Sequence, residues 1–192
     1  MRARHLIIGL AAAVLGLAPA APAQELTLAA GAGVFFPSGW SYHHIYGSSF
    51  SAGGDVWFTL KNHLGLAAGL GWSSDEGFAS GETGTYPLEF RRTTIPLVVF
   101  YQLEAGAFTV RLGAGAGLHH FEETWQTVDL DYSGNKAGLR FLMAASVKII
   151  GRLALFCSVT YDSISKEAVD PLSNEIKLGG CLILGGLAFR VF

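Results

Sequence analysis

The sequence predicts an all-β protein of one domain, in which eight antiparallel strands close into an up-and-down transmembrane barrel. Three observations lead to this prediction. Apolar and polar residues alternate along eight segments, as they do in strands whose two faces meet different surroundings. The longest charge-free apolar runs, 64–72, 93–103 and 178–189, are too short for a membrane helix and suit tilted membrane strands. The connections between the segments alternate between short and long.

The chain starts with a segment that we exclude from the fold. Arg2 and Arg4 form a basic start, residues 6–17 are apolar, and Ala21-Pro22-Ala23 provides small residues before Gln24. This pattern predicts a signal peptide over 1–23 and a barrel domain over 24–192, with an uncleaved anchor as the alternative. The remaining chain has 11 basic and 15 acidic residues, a net charge of −4. It has no basic stripe, which argues against nucleic acid as a partner.

The eight segments lie at roughly 25–36, 49–60, 64–74, 90–103, 107–120, 137–149, 153–163 and 177–191. Tight turns are expected at 61–63, 104–106 and 150–152. Longer polar connections are expected at 37–48, 75–89, 121–136 and 164–176. Tight turns at one end and long polar loops at the other are typical of barrels in the bacterial outer membrane. Both termini are then expected on the periplasmic side.

The alternation gives each strand an apolar face and a polar or empty face. In the fifth segment one face carries Val110, Leu112 and Leu118, and the other carries Arg111 and several glycines. Periodicity alone does not say which face points inward, so a soluble lipocalin-like barrel with an apolar interior is the alternative. The glycine and alanine rows suit a narrow interior, and aromatic residues near strand ends suit membrane interfaces. Together with the export signal, they favour an apolar outer face. Such strands must close, because backbone groups in hydrocarbon all need partners.

With this architecture, residues 24–192 resemble the small eight-stranded outer-membrane barrels of the OmpA/OmpX-like group. The resemblance also includes the final GGLAFRVF, since these proteins usually end in an aromatic residue with a second aromatic two positions earlier. Phe192 matches the terminal aromatic, whereas Arg190 stands at the second position and Phe189 is one step out of phase. The resemblance implies passage through the periplasm and insertion by the outer-membrane assembly machinery, which reads Phe192.

Charged residues on the polar faces are candidates for a buried ion-pair network in the lumen. They are Asp55, Arg111, Arg140, Lys148 and Asp162. Unpaired charges inside the barrel would be costly, so we expect them to neutralise one another. Eight strands leave an interior that side chains just fill, and large aromatic residues are available to fill it. We therefore expect a closed lumen, with a narrow solute channel as the alternative.

Two cysteines lie at equal distances from the middle of the last long loop. Cys157 precedes Val169 by 12 residues and Cys181 follows it by 12, so the two would be able to face each other across neighbouring strands. The periplasm is oxidising, and a cross-strand disulfide is one expectation. Two separate thiols are the other. The facing of the last strand stays open, because both of its faces are apolar.

The histidines near the loops suggest no regular metal site. His119 and His120 are adjacent on a strand, so their side chains point to opposite faces and do not share one metal. A cross-loop site between His43 or His44 and Glu122 is the alternative. Ser41, His119 and Glu122 could supply a hydrolytic triad at the same rim, but no G-x-S-x-G motif accompanies them. We expect no metal and no cofactor.

We therefore predict a non-enzymatic role for this chain, either as a structural membrane component or through surface loops. The loops are rich in aromatic residues: Trp40, Tyr42, Tyr46, Tyr86 and Trp125. The expected partners are outer-membrane lipids, the assembly machinery and a surface ligand held by the loops. An enzyme that modifies lipid A or another lipid is the alternative from a different class, and the narrow channel is a third.

Overall fold

A computed structural model describes residues 23–81, 84–126, 130–166 and 176–192. Its eight long strands are β1 (Ala23–Pro37), β2 (Ser49–Leu60), β3 (Leu64–Gly81), β4 (Gly84–Ala105), β5 (Phe108–Trp125), β6 (Leu130–Ile150), β7 (Leu153–Ser163) and β10 (Gly180–Arg190). Each pairs antiparallel with its neighbours, and β10 pairs with β1 to close the ring. The predicted eight-stranded up-and-down barrel is confirmed.

Three smaller elements lie in the longer connections. Helix α1 (Trp40–Tyr46) follows β1, and β8 (Ser165–Lys166) pairs with β9 (Ile176–Lys177) between β7 and β10. Among the described residues, no helix has the length and apolar character needed to cross a bilayer.

One end of the barrel, here called the turn end, carries the three tight connections at 61–63, 106–107 and 151–152. Gly106 and Gly151 have φ angles of 63° and 57° there. Glycine adopts this left-handed conformation at little cost, and tight turns between strands need it. The tight turns fall within a residue or two of their predicted positions. The opposite end is called the loop end.

At the loop end the structure differs from two of the predicted loops. The predicted loops 75–89 and 121–136 are largely continuous strand, because β3 and β4 stay paired as far as Gly81 and Gly84. Likewise β5 and β6 stay paired as far as Trp125 and Leu130. The outward side chains of these extensions are mainly polar, so the hydrophobic alternation fades while the backbone pairing continues.

The barrel has an apolar outer face and carries charged and polar side chains in its lumen, as predicted. On β4 the outward side chains of Leu97 and Val99 are 59% and 55% exposed, whereas the lumen-facing Phe100 and Gln102 are 1% exposed. Exposed large apolar residues recur on all eight strands, and buried arginine, aspartate and histidine side chains lie within. The alternative of a soluble barrel with an apolar interior is therefore wrong. The last strand follows the same rule, with Leu182 buried and Ile183 exposed.

The lumen is filled by alternating polar and apolar zones. Along β4 the lumen-facing residues run from Glu104 at the turn end through Phe100 and Thr94 to Phe90 near the loop end. Phe100 belongs to a lower core of Ala29, Trp57, Ala67, Val98, Phe100, Leu142, Ala144, Phe156 and Ala188. Phe90 belongs to an upper core of Phe35, Phe90, Phe121, Ile164, Leu178, Leu182 and Leu184. Large side chains therefore obstruct the lumen at two levels.

Candidate functional site

A buried ion pair lies in the middle of the lumen. Arg140 on β6 lies directly opposite Asp162 on β7 in the strand register. Its guanidinium donates two hydrogen bonds to the Asp162 carboxylate, from Nε at 2.6 Å and from Nη2 at 2.7 Å. Both side chains are more than nine-tenths buried. This two-point geometry is the strongest form of the arginine–carboxylate contact, and it joins two of the five predicted charges.

His119 packs beside this pair. Its Nδ1 lies 3.0 Å from the Thr94 hydroxyl, and its Nε2 lies 4.0 Å from an Asp162 carboxylate oxygen. The ring occupies space that Gly117 leaves open, since a Cβ at that position would lie 2.7 Å from His119 Nε2. The polar face of the fifth strand therefore needs glycine there to admit the histidine. His119 is 2% exposed, so it lies inside the lumen. The expected position of this histidine at the rim is therefore wrong.

Asp55 faces the same zone across a small cavity of about 30 Å³, which Arg140 also lines. Within the described part of the chain, no basic side chain lies within ion-pair distance of Asp55, so it does not join the predicted network directly. Ser51 Oγ and Thr160 Oγ1 line the cavity and are buried without a hydrogen-bond partner. Their unmet hydrogen bonds and the size of the cavity fit a bound water.

Arg111 belongs to a different cluster, nearer the turn end. Its Nη2 lies 3.2 Å from the carboxylate of Glu25, and its guanidinium stacks 4.5 Å from the centre of the Trp57 ring. Glu25 also accepts a hydrogen bond from Thr27 and forms an ion pair with Arg190, whose Nη2 lies 2.9 Å from its carboxylate. The buried carboxylate therefore lies between two guanidinium groups, and Arg111 is neutralised by Glu25 and not by Asp55 or Asp162.

Glu25 and Arg190 are members of this cluster that were not among the charges predicted for the lumen. Parity in β1 would have found the first, since Glu25 alternates with the apolar Leu26 and Leu28. Arg190 stands where the terminal motif has its second aromatic residue. Its parity matches the buried Ala188, which is the signal for a lumen-facing position.

Lys148 lies outside the buried network. It is exposed at the turn end and lines a cavity of about 160 Å³ together with Arg111 and Arg190. The five predicted charges thus divide into one direct pair, an aspartate across a small cavity from it, an arginine in the Glu25 cluster and a lysine at the mouth.

The two cysteines are free in the structure, which agrees with the expectation of two separate thiols and not with the alternative of a disulfide. Cys181 lies opposite Tyr161, and Cys157 lies opposite Gly185. The strand register is therefore offset by four residues from the symmetric hairpin that the sequence suggested. Four residues correspond to about 13 Å along a strand. A disulfide needs Cα atoms within about 7 Å, so this register keeps the thiols apart.

His120 and Glu122 lie on the outer face, beyond the apolar belt that ends on β5 at Leu118. His120 donates from Nε2 to Glu122 at 3.1 Å, and its Nδ1 lies 2.9 Å from Asn135 Oδ1. The hydrogen bond to Glu122, followed by the one to Asn135, raises the pKa of the His120 imidazole. The two acceptors suit the doubly protonated ring.

The residues suggested for hydrolysis or metal binding are not brought together. His119 points into the lumen and Glu122 points outward, while the side chain of Ser41 lies outside the described residues. Within the described part of the chain, no group of three or more histidine, cysteine or acidic side chains has a geometry suited to a metal ion.

The loop-end aromatic residues have different surroundings. Tyr46 of α1 packs against Phe90, with ring centres 5.4 Å apart, and so helps to cover the upper core. Tyr86 and Trp125 pair at 6.2 Å on the extended strands and stay partly exposed. The side chains of Trp40 and Tyr42 lie outside the described residues.

Phe192 lies at the turn end with its side chain 51% exposed. Strand pairing continues to it, because the Leu26 amide donates to the Phe192 carbonyl at 3.1 Å. The outward residues before it are Leu187 and Phe189, whereas Arg190 turns inward to Glu25. Phe189, the aromatic residue that is one step out of phase with the motif, therefore faces outward, and Arg190 at the expected position does not.

The sequence of this closed, lipid-compatible barrel matches a family model described as the outer membrane protein beta-barrel domain, over residues 8–179. The chain belongs to this family. The match covers most of the barrel and begins within the predicted signal peptide. An eight-stranded barrel of this family is an outer-membrane protein, which agrees with the predicted fold and location.

Solved structures of small outer-membrane proteins share the fold. OprG from Pseudomonas aeruginosa has a TM-score of 0.69 and 12% identity, covering 88% of this chain and 97% of its own. A major outer membrane protein from Thermus thermophilus has a TM-score of 0.61 and 18% identity, covering 86% and 98%. Neisserial surface protein A has a TM-score of 0.58 and 14% identity, covering 86% and 96%. Among curated protein sequences, none matches the chain.

Proposed function

We propose that the chain is a non-enzymatic outer-membrane protein that contacts other molecules at the cell surface through its loop end. The observation that carries the proposal is the length of the central strands. β4 has 22 residues and β6 has 21, whereas about 9–11 residues cross a bilayer. Roughly half of each strand is therefore available to project beyond the lipid as a rigid platform.

The surface of this platform supports a binding role. Beyond the apolar belt, its outward side chains include Arg91, Glu89 and Glu122, and its tips carry the Tyr86–Trp125 pair. Partly exposed aromatic residues with a polar rim are typical of interaction surfaces. One structural neighbour, neisserial surface protein A, is named for a place at the surface, and we extend a surface role to this chain as part of the proposal.

The lumen supports this role over the two alternatives. Two apolar cores obstruct the path that a solute would follow, which argues against a channel. His119 is 2% exposed inside the lumen, away from the lipid-facing surface, which argues against the hydrolytic alternative. The chain is expected to reach the outer membrane after cleavage behind Ala23, with insertion directed by Phe192 and lipids covering the apolar belt.

Replacement of both Tyr86 and Trp125 by alanine tests the proposal. Cells that display this variant are compared with wild type for binding to a glycan array and to immobilised serum proteins. The matched control replaces Tyr101 and Tyr161, two aromatic residues of the outer belt, by alanine. We expect binding to fall at least tenfold in the loop-end variant and to persist in the control.

The same strains test the other classes of function. Equal binding by wild type, variant and a strain without the chain would contradict the proposal. A change in the mass of lipid A that depends on the chain would favour an enzyme. Stepwise conductance of the purified barrel in planar bilayers would favour a channel.

A further inference from the structure

The turn end carries a second candidate site, independent of the loop-end surface. Its cavity of about 160 Å³ opens at the mouth of the barrel, below the lower core. A water molecule takes up about 30 Å³ in the liquid, so the space admits a polyatomic ion with some water. The charged residues around it are Glu25, Glu104, Arg111, Lys148, Arg152 and Arg190. Four are basic and two are acidic, which leaves a net charge of +2.

Both acidic groups are already engaged. Glu25 accepts hydrogen bonds from Thr27 and Arg111 and is ion-paired with Arg190, as described above. Glu104 accepts a hydrogen bond from Gln102 Nε2 at 2.7 Å. The carboxylates are therefore held by neighbouring donors and leave part of the positive charge around the cavity uncompensated.

Several donors around the cavity have no acidic partner. Within the described residues, no carboxylate lies within ion-pair distance of Lys148 or Arg152, and Arg152 Nη1 donates to the carbonyl of Val191 at 2.8 Å. Arg111 is 97% buried as a side chain, yet its Nε–H has no hydrogen-bond acceptor. A buried guanidinium N–H without an acceptor is costly, and a bound anion would remove that cost.

We propose that the turn-end cavity binds a phosphate group. A phosphate monoester carries a charge of about −1.5 to −2 at neutral pH and a lipid phosphodiester carries a single negative charge, so the positive lining can balance either group. Its tetrahedral oxygens accept hydrogen bonds from several directions, and guanidinium and ammonium groups are its usual protein partners. The group belongs either to a free phosphate compound or to a lipid headgroup at the same membrane face.

The test is an amide-shift titration of the refolded barrel in maltoside micelles, which contain no phosphate. Inorganic phosphate is added against sodium chloride at matched ionic strength, and the amides of Gly106 and Gly151 report on the cavity. We expect saturable shifts with phosphate and none with chloride. A parallel titration uses dihexanoyl phosphatidylglycerol, kept below its micellar concentration. Tighter binding of this lipid than of inorganic phosphate indicates a lipid headgroup, and the reverse indicates a free phosphate compound.

Variants decide whether the cavity is responsible. Lys148→Gln combined with Arg152→Gln removes two exposed charges without touching the buried cluster, and it should weaken binding at least tenfold. Lys61→Gln is the matched control, since Lys61 is an exposed lysine at the turn end outside the cavity. Linear shifts, equal shifts with chloride, or equal affinity in the double variant and the control would overturn the proposal.

Discussion

At the scale of single residues, the lumen is stabilised by charges that satisfy one another at close range. Arg140 and Asp162 form a two-point ion pair, and Glu25 lies between Arg111 and Arg190. Each buried ion has lost its water, and only a well-placed partner compensates for that loss. Replacing one member of a buried pair should therefore lower the free energy of unfolding far more than replacing one member of an exposed pair.

Asp162→Asn tests this difference. The change leaves the Arg140 guanidinium buried without its counter-ion, so the free energy of unfolding should fall by about 3–5 kcal/mol. Denaturant titration of the barrel in micelles, followed by its folded mobility on gels, measures the change. The matched control is Glu89→Gln, which breaks the exposed pair with Arg91 and should cost no more than about 1 kcal/mol. Equal losses in the two variants would contradict the account.

His120 offers a prediction about pH. Its pKa is raised in the folded state by the hydrogen bonds to Glu122 and Asn135, so the protonated ring favours folding. This contribution is complete below the unfolded pKa of about 6.5 and is lost as the pH rises through the higher folded value. Histidine titration by NMR should show the raised pKa, and Glu122→Gln should lower it. Glu76→Gln, which removes another exposed outward-facing carboxylate, is the control and should leave it unchanged.

At the scale of elements, the sequence predicts the strands well wherever lipid and lumen differ. The period-two alternation from Val110 to Leu118 identifies the membrane-spanning part of β5 and both of its faces. Beyond Leu118 the outward residues become polar, and the alternation of apolar and polar residues disappears although the strand continues to Trp125. The residue pattern therefore predicts the strand but not the residue at which it ends, because backbone pairing does not require a particular side chain.

The candidate charges show a similar division. Parity correctly places Arg111, Arg140 and Asp162 on the lumen side of their strands, because each alternates with apolar neighbours. It does not give their pairing, which depends on the register between strands. The register also depends on turn and loop geometry, which the residue pattern does not encode, as the cysteine pair demonstrates.

The register between β7 and β10 can be tested by cross-linking. In this register Gly185→Cys faces Cys157, so copper-phenanthroline oxidation in micelles should leave one reactive thiol of three, at Cys181. Tyr161→Cys should instead pair with Cys181 and leave Cys157 reactive. The wild-type protein is the control and should keep both thiols, counted by the gel shift with maleimide-polyethylene glycol. Loss of both wild-type thiols within monomers would show the symmetric register to be correct.

At the scale of the whole molecule, the barrel reverses the arrangement of a soluble protein. Its polar zones and its two apolar cores are enclosed, while a belt of large apolar side chains faces outward on every strand. The closed ring leaves no strand edge unpaired in hydrocarbon. This arrangement separates the two ends, so the loop-end surface and the turn-end cavity are expected to act independently.

The most direct test of this arrangement uses Met143, the one methionine in residues 24–192. Its side chain is 53% exposed on the outward face of β6, next to the buried Leu142. With a ¹³C-labelled methyl group in lipid nanodiscs, Met143 should show nuclear Overhauser contacts to acyl-chain methylenes and none to water. Contacts to the ring protons of Trp57 or Phe156, without contacts to lipid, would place this face in the lumen and contradict the account.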